Sequence, residues 1–197
     1  PQAITYSVVV PMLNEEGNVE ALLDRLTPVM EATGEPFEIV VVDDGSTDAT
    51  PRLLADRASA DARLRVITFA RNFGQEAAVQ AGFLHSRGSW VVQMDGDLQN
   101  PPEELPKLME RTAEGYEIVY GVRTNRKDPW ARKVASRAMM WVMTRLLGIP
   151  LPPDVTTFRV VKGDVARFIA ALPEKKKFFS ALAEWSGARS VAVPVAH

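Results

Sequence analysis

The residues best suited to chemistry in this chain are carboxylates that stand where apolar runs end. Asp95 and Asp97 follow the run Trp90–Met94 as Asp-Gly-Asp, with their side chains at i and i+2. Where a strand stops and the chain turns, both can reach one divalent cation. Hard oxygen ligands suit Mg²⁺ or Mn²⁺, ions that keep waters and take substrate phosphates as well. Turns use Asp freely, so turn formation and capping is the other reading of this triplet. Asp43 and Asp44 close a second apolar run as Asp-Asp-Gly-Ser. A first run ends in Pro11-Met12-Leu13-Asn14-Glu15-Glu16. The chain has neither G-x-G-x-x-G nor G-x-x-x-x-G-K-[ST], so a dinucleotide fingerprint and a P-loop are both excluded. A loop led by Asn and Glu cannot cradle a pyrophosphate with bare backbone. Its acids can instead accept hydrogen bonds from ribose hydroxyls or base N–H groups. The phosphates would then need a metal, which Asp95 and Asp97 could hold.

These acids must be positioned by regular elements, and the pattern predicts them. Ser7–Pro11, Phe37–Val42, Leu64–Phe69, Trp90–Met94 and Glu117–Tyr120 read as strands rich in β-branched residues. Helices are expected over Glu16–Thr33, Ala49–Ala60, Gln75–Ser86 and from Pro101 onward, with Ser46, Thr47 or Asp48 as the cap of the second. This βαβ order predicts an α/β fold, a mostly parallel sheet with helices on both faces, whose ligands bind at the carboxyl ends of the strands. Beyond Tyr120 the pattern changes. A long helix (Trp130–Leu147), a loop (Gly148–Pro153), a short strand around Phe158–Val161, a helix near Asp164–Leu172 and a last strand Val191–Val195 read as an elaboration of the same sheet.

Composition narrows the classes. A length of 197 residues, with 46% hydrophobic and 24% charged residues, fits one globular domain and excludes disorder. With no Cys and only two His, there is no disulfide framework, thiolate zinc site or cysteine nucleophile, and little scope for a histidine-based triad. His85 reads as a helix-surface residue without a role. No apolar run is long enough to span a membrane, and no signal peptide is visible. The start at Pro1, without Met, reads as a fragment or a processed chain.

The net charge of -2 hides an asymmetry. Residues 1–60 hold eleven acids against three bases, whereas Arg123–Leu147 holds seven cations against Asp128 alone. Such a stretch attracts phosphate or an anionic membrane surface; a solvated helix face is the alternative. It lacks an aromatic single-strand platform, so a nucleic-acid partner is not expected. Trp130–Leu147 is apolar on nearly every side with cations interleaved, which suits either core packing or a seat on lipid headgroups.

The motifs VVVPMLNEEGN (8–18), IVVVDDGSTDAT (39–50), ARNFGQEAAVQAGF (70–83), VVQMDGDLQNPPEELPKL (91–108), VYGVRTNRKDP (119–129), DVTTFRVVKGDV (154–165) and EKKKFFSALAEWSG (174–187) together resemble the family 2 glycosyltransferases of GT-A fold. The resemblance is strongest to the membrane-associated polyprenyl-phosphate glycosyltransferases, the group of dolichol-phosphate mannose synthase and the undecaprenyl-phosphate transferases. It covers nearly the whole chain in the family's order, and Asp-x-Asp-Leu-Gln-x-Pro-Pro-Glu is its most specific part. The resemblance implies that Pro11, Asn14, Glu15 and Asp43, with Asp44 nearby, hold the nucleoside of a UDP- or GDP-sugar. It implies that Asp95 and Asp97 carry the Mg²⁺ or Mn²⁺ and the diphosphate, with Gln99 as the glutamine that follows them. Arg123 would contact the phosphate of a polyprenyl-phosphate acceptor, and Arg132 with Ser136 would form a second phosphate-binding pair; a plain helix surface is the other reading of that pair.

Two departures from the family pattern stand out. Many relatives read Asp-x-Gly-Asp-Phe-Arg where this chain has Asp154-Val155-Thr156-Thr157-Phe158-Arg159. Asp154 is kept as a catalytic candidate and Arg159 as a further site residue, but Thr157 replaces a carboxylate that some relatives place near the sugar. Either Asp154 serves alone, or sugar recognition differs, or activity is reduced. The family also continues into amphipathic and transmembrane helices, so the chain reads as a single GT-A domain (1–197) of a longer protein at the cytoplasmic face of a membrane, with homo-oligomers possible. The implied reaction is direct displacement with inversion at the anomeric carbon. A soluble transferase acting on a polysaccharide or protein, and a non-catalytic nucleotide-sugar-binding domain, are the alternatives.

Overall fold

A computed structural model of the chain describes residues 3–123, 155–173 and 179–196. The strands are β1 (Tyr6–Met12), β2 (Phe37–Asp43), β3 (Leu64–Thr68), β4 (Trp90–Gln93), β5 (Ile118–Arg123), β6 (Val155–Lys162) and β7 (Ser190–Val195). The helices are α1 (Val19–Ala32), α2 (Thr50–Ala60), α3 (Gln75–His85), α4 (Leu105–Glu110), α5 (Gly163–Ala171) and α6 (Phe179–Trp185). The long helix expected over 130–147 and the loop 148–153 lie outside the described residues.

All seven strands join one sheet in the order β3-β2-β1-β4-β6-β5-β7. β1 pairs in parallel with β2 and β4, β2 with β3, and β5 with β7. β6 is antiparallel to both its neighbours, β4 and β5. Six strands therefore run one way, as expected for a mostly parallel sheet, and β6 runs against them. This reversal brings the first residues of β6 to the carboxyl ends of the others.

Burial on both faces explains the composition of the central strands. Every residue of β2 is buried, and β1 is buried from Ser7 onward, which is why both read as continuous apolar runs instead of alternating ones. On one face Val8, Val10, Met12, Ile39 and Val41 pack with Leu22, Leu23, Leu26 and Met30 of α1, Leu54 of α2, and Leu105 and Leu108 of α4. On the other, Val9, Val40, Val91, Ile118 and Tyr120 meet Val79 and Phe83 of α3, Ala166 and Ile169 of α5, and Phe179 and Ala183 of α6. Helix α6 is an element that the apolar pattern does not announce. Its Phe179 packs edge-on against Phe83, with ring centroids 5.3 Å apart.

Several boundaries differ from the sequence reading for local reasons. α1 begins at Val19, because residues 15–18 turn first, with Asn18 and Val19 N–H donating to the Glu15 carbonyl. The helix expected from Pro101 is a 3₁₀ turn (Pro102–Glu104), a short α4 and a second 3₁₀ turn that ends at left-handed Gly115, φ 82°. The cap position of α2 is Ala49, which has no capping side chain, so none of Ser46, Thr47 and Asp48 is the cap. Pro51 in the first turn has no N–H to satisfy, and Asp48 accepts from Thr50 N–H at 3.0 Å from one residue further out.

One polar group is buried at the opposite end of the sheet from the carboxyl termini. Glu38, 1% exposed, accepts from Ser7 Oγ (2.6 Å), Arg87 N–H (2.8 Å) and the guanidinium groups of Arg87 and Arg65. Burial opposes its charge, but the hydrogen bonds from Ser7, Arg87 and Arg65 outweigh it and hold the carboxyl below its ordinary 4.5. The unfolded chain thus binds a proton more readily than the folded one. The stabilisation is present above pH 4.5 and drains away as pH falls through the lower folded value. Both arginines keep contact with solvent, so Glu38→Gln is expected to cost only about 1–2 kcal/mol. Urea unfolding from pH 3 to 7 checks this, and the variant should show a flatter acid limb than the wild type.

Candidate active site

A cavity of about 350 Å³ opens where β1 and β4 end side by side, the point where strand order reverses in such sheets. Its walls come from the ends of four successive strands and the segments that follow: Pro11 and Met12 at the end of β1, with Leu13 and Glu15 after it; Asp44 after β2; Asn72 and Gly74 between β3 and α3, with Gln75 at the start of α3; and Asp95, Gly96 and Asp97 after β4.

The first two loops brace each other. Asn14 takes a left-handed conformation, φ 54°, which Asn tolerates better than most residues. Its N–H donates to Ser46 Oγ (2.9 Å) and its Oδ1 accepts from Thr47 N–H (2.9 Å). Glu15 N–H donates to Thr50 Oγ1, while its side chain accepts from Asn18 Nδ2 at 2.6 Å. Asp43 is fully buried. One of its oxygens accepts from Ser46 N–H at 3.0 Å, and Oδ2 has no hydrogen-bond partner among the described residues. Asp44 accepts from Phe73 N–H (2.7 Å) and Gly74 N–H (2.8 Å), so both its oxygens fasten the loop leading into α3. Gly45, φ 75°, lies against that loop's backbone: a Cβ there would stand 2.4 Å from the Arg71 carbonyl carbon.

Asp95 is half-buried and held from two sides. Gln75 Nε2 donates to Oδ1 at 2.7 Å, and Thr157 Oγ1 donates to Oδ2 at 2.5 Å. Gly96 presses on the end of β1, where a Cβ would meet Met12 Cγ at 2.9 Å. Asp97 is exposed, and one oxygen accepts from Gln99 N–H at 3.1 Å. Leu98 between them is left-handed, φ 61°, a conformation that costs a non-glycine residue about 1–3 kcal/mol and is found mostly at functional sites. Arg159 lies deeper in the sheet, buried, with its guanidinium 3.9 Å from the Phe179 ring centroid. Its Nε and Nη2 fork onto Gln93 Oε1 at 2.9 and 2.5 Å. Burial pushes its pKa down to about 10, which leaves it cationic at neutral pH.

The charge balance of the lining sets what it can hold. Glu15, Asp44, Asp95 and Asp97 line the cavity, and among the described residues no Lys or Arg does. Bare diphosphate would be repelled; a diphosphate carrying a divalent cation would not. No three described acids are clustered closely enough to cage an ion. The donor set therefore fits an ion held by one or two carboxylates, with waters and substrate phosphate completing its shell, as Mg²⁺ requires.

The family profile described as glycosyl transferase family 2 matches residues 7–170. The chain belongs to glycosyl transferase family 2. Relatives of this transferase domain include the uncharacterized glycosyltransferase YkcC of Bacillus subtilis, 38% identical over 191 residues, covering 96% of this chain and 59% of the relative. They also include the undecaprenyl-phosphate 4-deoxy-4-formamido-L-arabinose transferase of Edwardsiella ictaluri, 35% identical over 192 residues, covering 97% and 59%. The chain thus spans about three-fifths of the curated relatives it matches. Among solved structures, glucosyl-3-phosphoglycerate synthase from Mycobacterium tuberculosis with Mn²⁺, uridine diphosphate and phosphoglyceric acid superposes with a TM-score of 0.69 at 21% identity, covering 97% of this chain and 68% of that one. The architecture of the transferase domain is the GT-A fold expected from the motifs.

Of the residues singled out in sequence, Pro11, Glu15, Asp44, Asp95 and Asp97 line one cavity. Asn14, Asp43 and Gln99 sit beside it without lining it, and Arg159 lies behind it. Asp154, Arg132, Ser136 and the Arg123 side chain lie outside what is described; the Arg123 backbone ends β5 at the same edge of the sheet. Gln75, Asn72 and Gly74 are lining residues that the sequence reading did not select. They stand in the quoted motif ARNFGQ, but a Gln opening a helix carries no chemical signal by itself. Thr157, noted only as a missing carboxylate, is here a donor to Asp95.

Proposed function

We propose that this domain binds a nucleotide-sugar together with Mg²⁺ or Mn²⁺ at Asp95 and Asp97 and transfers the sugar, with inversion, to a polyprenyl phosphate at a membrane surface. The observation that carries the donor half is the cavity lining: four carboxylates at the strand ends and, among the described residues, no cation to receive a diphosphate. The buried, unpartnered Oδ2 of Asp43 adds an acceptor for a base or ribose donor one residue from Asp44. The Mn²⁺ and uridine diphosphate in the synthase structure, and the undecaprenyl phosphate in a relative's name, support the same reading.

In this reading Asp97 offers its open oxygen to the cation, and Asp95, held by Gln75 and Thr157, presents a fixed charge beside it. When bound, the cation offsets the charge of the departing nucleoside diphosphate. Arg123, Arg132 and Ser136 would hold the acceptor phosphate, with Asp154 near the sugar. A lipid monophosphate, with a second pKa of about 6, is already anionic at neutral pH and needs positioning more than a general base. Among the described residues, no helix is long and apolar enough to cross a membrane. In this reading the domain meets lipid at its surface, on the cytoplasmic face.

A thermal-shift panel with UDP, GDP, CDP and dTDP, with and without Mn²⁺, tests the proposal. One nucleotide at 100-fold its Kd should stabilise the domain by about 2.7 kcal/mol, and so raise Tm by roughly 5–10 °C, only when Mn²⁺ is present. The absence of a metal-dependent shift with every nucleotide overturns the donor half.

A further inference from the structure

We propose that Thr157 and Gln75 are positioning residues that clamp the Asp95 carboxylate from two elements, and that the Arg159–Gln93 fork sets the Thr157 arm. The proposal rests on the metal–nucleotide reading of the cavity given above.

The geometry begins with strand register. β4 and β6 are paired antiparallel with Gln93 opposite Arg159. Two residues further along, beyond the last paired position of β4, the same register sets Asp95 opposite Thr157. Side chains alternate along a strand, so these two cross-strand pairs share one face of the sheet. The first pair is Arg159 forked onto Gln93; the second is Thr157 donating to Asp95. The other arm comes from α3. Gln75 donates to the remaining oxygen of Asp95, and the loop leading into Gln75 is fastened by both oxygens of Asp44.

Each donor reaches a different oxygen of Asp95, so together they fix both side-chain torsions. Both donors are neutral. They hold the carboxylate without cancelling its charge, which a Lys or Arg in either place would do. Thr157 does not line the cavity, so its influence on a ligand passes through Asp95. Arg159 is buried, stacked on Phe179, donates to Ser180 Oγ at 3.3 Å and forks onto a neutral amide, with the charges of Glu76 and Asp95 near enough to favour its cation. An apolar residue would fill that place at lower cost. The fork does what an apolar residue could not: it locks the β4–β6 register two residues from the site.

The experiment measures the affinity of UDP and of GDP by calorimetry, with and without Mn²⁺, for the wild type, Thr157→Val and Thr157→Ser. Valine keeps the branched shape and removes the hydroxyl; serine restores it. Thr157→Val should weaken Mn²⁺-dependent binding by about 10-fold or more and Thr157→Ser by less than about threefold, in line with the loss of partners that orient metal ligands. Nucleotide alone should bind none of the three, and the ligand-free Tm should be the same in all. Wild-type affinity in Thr157→Val overturns the clamp, as does a loss of affinity matched by a fall in ligand-free Tm, which would mark general damage. A wild type whose binding is indifferent to Mn²⁺ overturns the underlying reading and the clamp with it. That outcome is recognised without reference to either variant.

Discussion

Asp97→Ala is expected to lower Mn²⁺-dependent nucleotide affinity by more than about 100-fold, beyond the range typical of partners that only orient a ligand. The reason is lack of redundancy. Asp97 is exposed on the cavity wall, with one oxygen engaged by Gln99 N–H. Asp95 already has a hydrogen bond on each oxygen. No third acid among the described residues joins them in a cluster that could hold an ion. Removing an exposed side chain should leave Tm near that of the wild type. Asp97→Asn separates charge from shape: it keeps an oxygen for the Gln99 turn, yet should lose affinity almost as far. Mn²⁺ titration followed by electron paramagnetic resonance reads both variants directly, and wild-type metal affinity in either one would remove Asp97 from the site.

Gly45→Ala should be the most destabilising of the substitutions considered, by about 3 kcal/mol or more. Two effects coincide there. The backbone is left-handed, φ 75°, and the added Cβ would lie 2.4 Å from the Arg71 carbonyl carbon and 2.7 Å from both Arg71 Cα and Asn72 N. These are main-chain atoms that cannot swing aside as a flexible side chain would. Relief requires moving the loop that Asp44 fastens, and Asn72, Gly74 and Gln75 of that loop line the cavity. The variant should therefore unfold at clearly lower urea and bind nucleotide more weakly even when folded. A midpoint unchanged from the wild type would show that the loop shifts freely.

The parallel half of the fold was legible because its strands are buried on both faces. Continuous runs such as Phe37–Val42 have few other readings, and the acids closing them fall at strand ends by simple counting. Asp95 and Asp97 could be selected for the same reason. The contribution of β6 was not legible. Its residues are apolar enough to be read as a strand, but neither their direction nor their neighbours follow from periodicity, so Thr157 could be noticed only as a departure from a pattern. Asn14 was read as a nucleoside contact; its backbone N–H and Oδ1 also brace the Ser46–Thr47 turn, a use of a short polar side chain that the sequence pattern does not reveal. Helix α6 was missed because its seven residues are too few to show a 3.6-residue period.

The place of β6 in the sheet also orders the events of synthesis. Every described residue lining the cavity lies between Pro11 and Asp97, so its walls leave the ribosome before β5, β6 and β7 are translated. β1, β2, β3 and β4 are contiguous in the sheet and need nothing from later sequence to pair. Thr157 and Arg159 arrive only after the whole intervening segment has been translated. The nascent chain can thus shape the cavity early, while Asp95 gains its Thr157 partner only once β6 has joined β4.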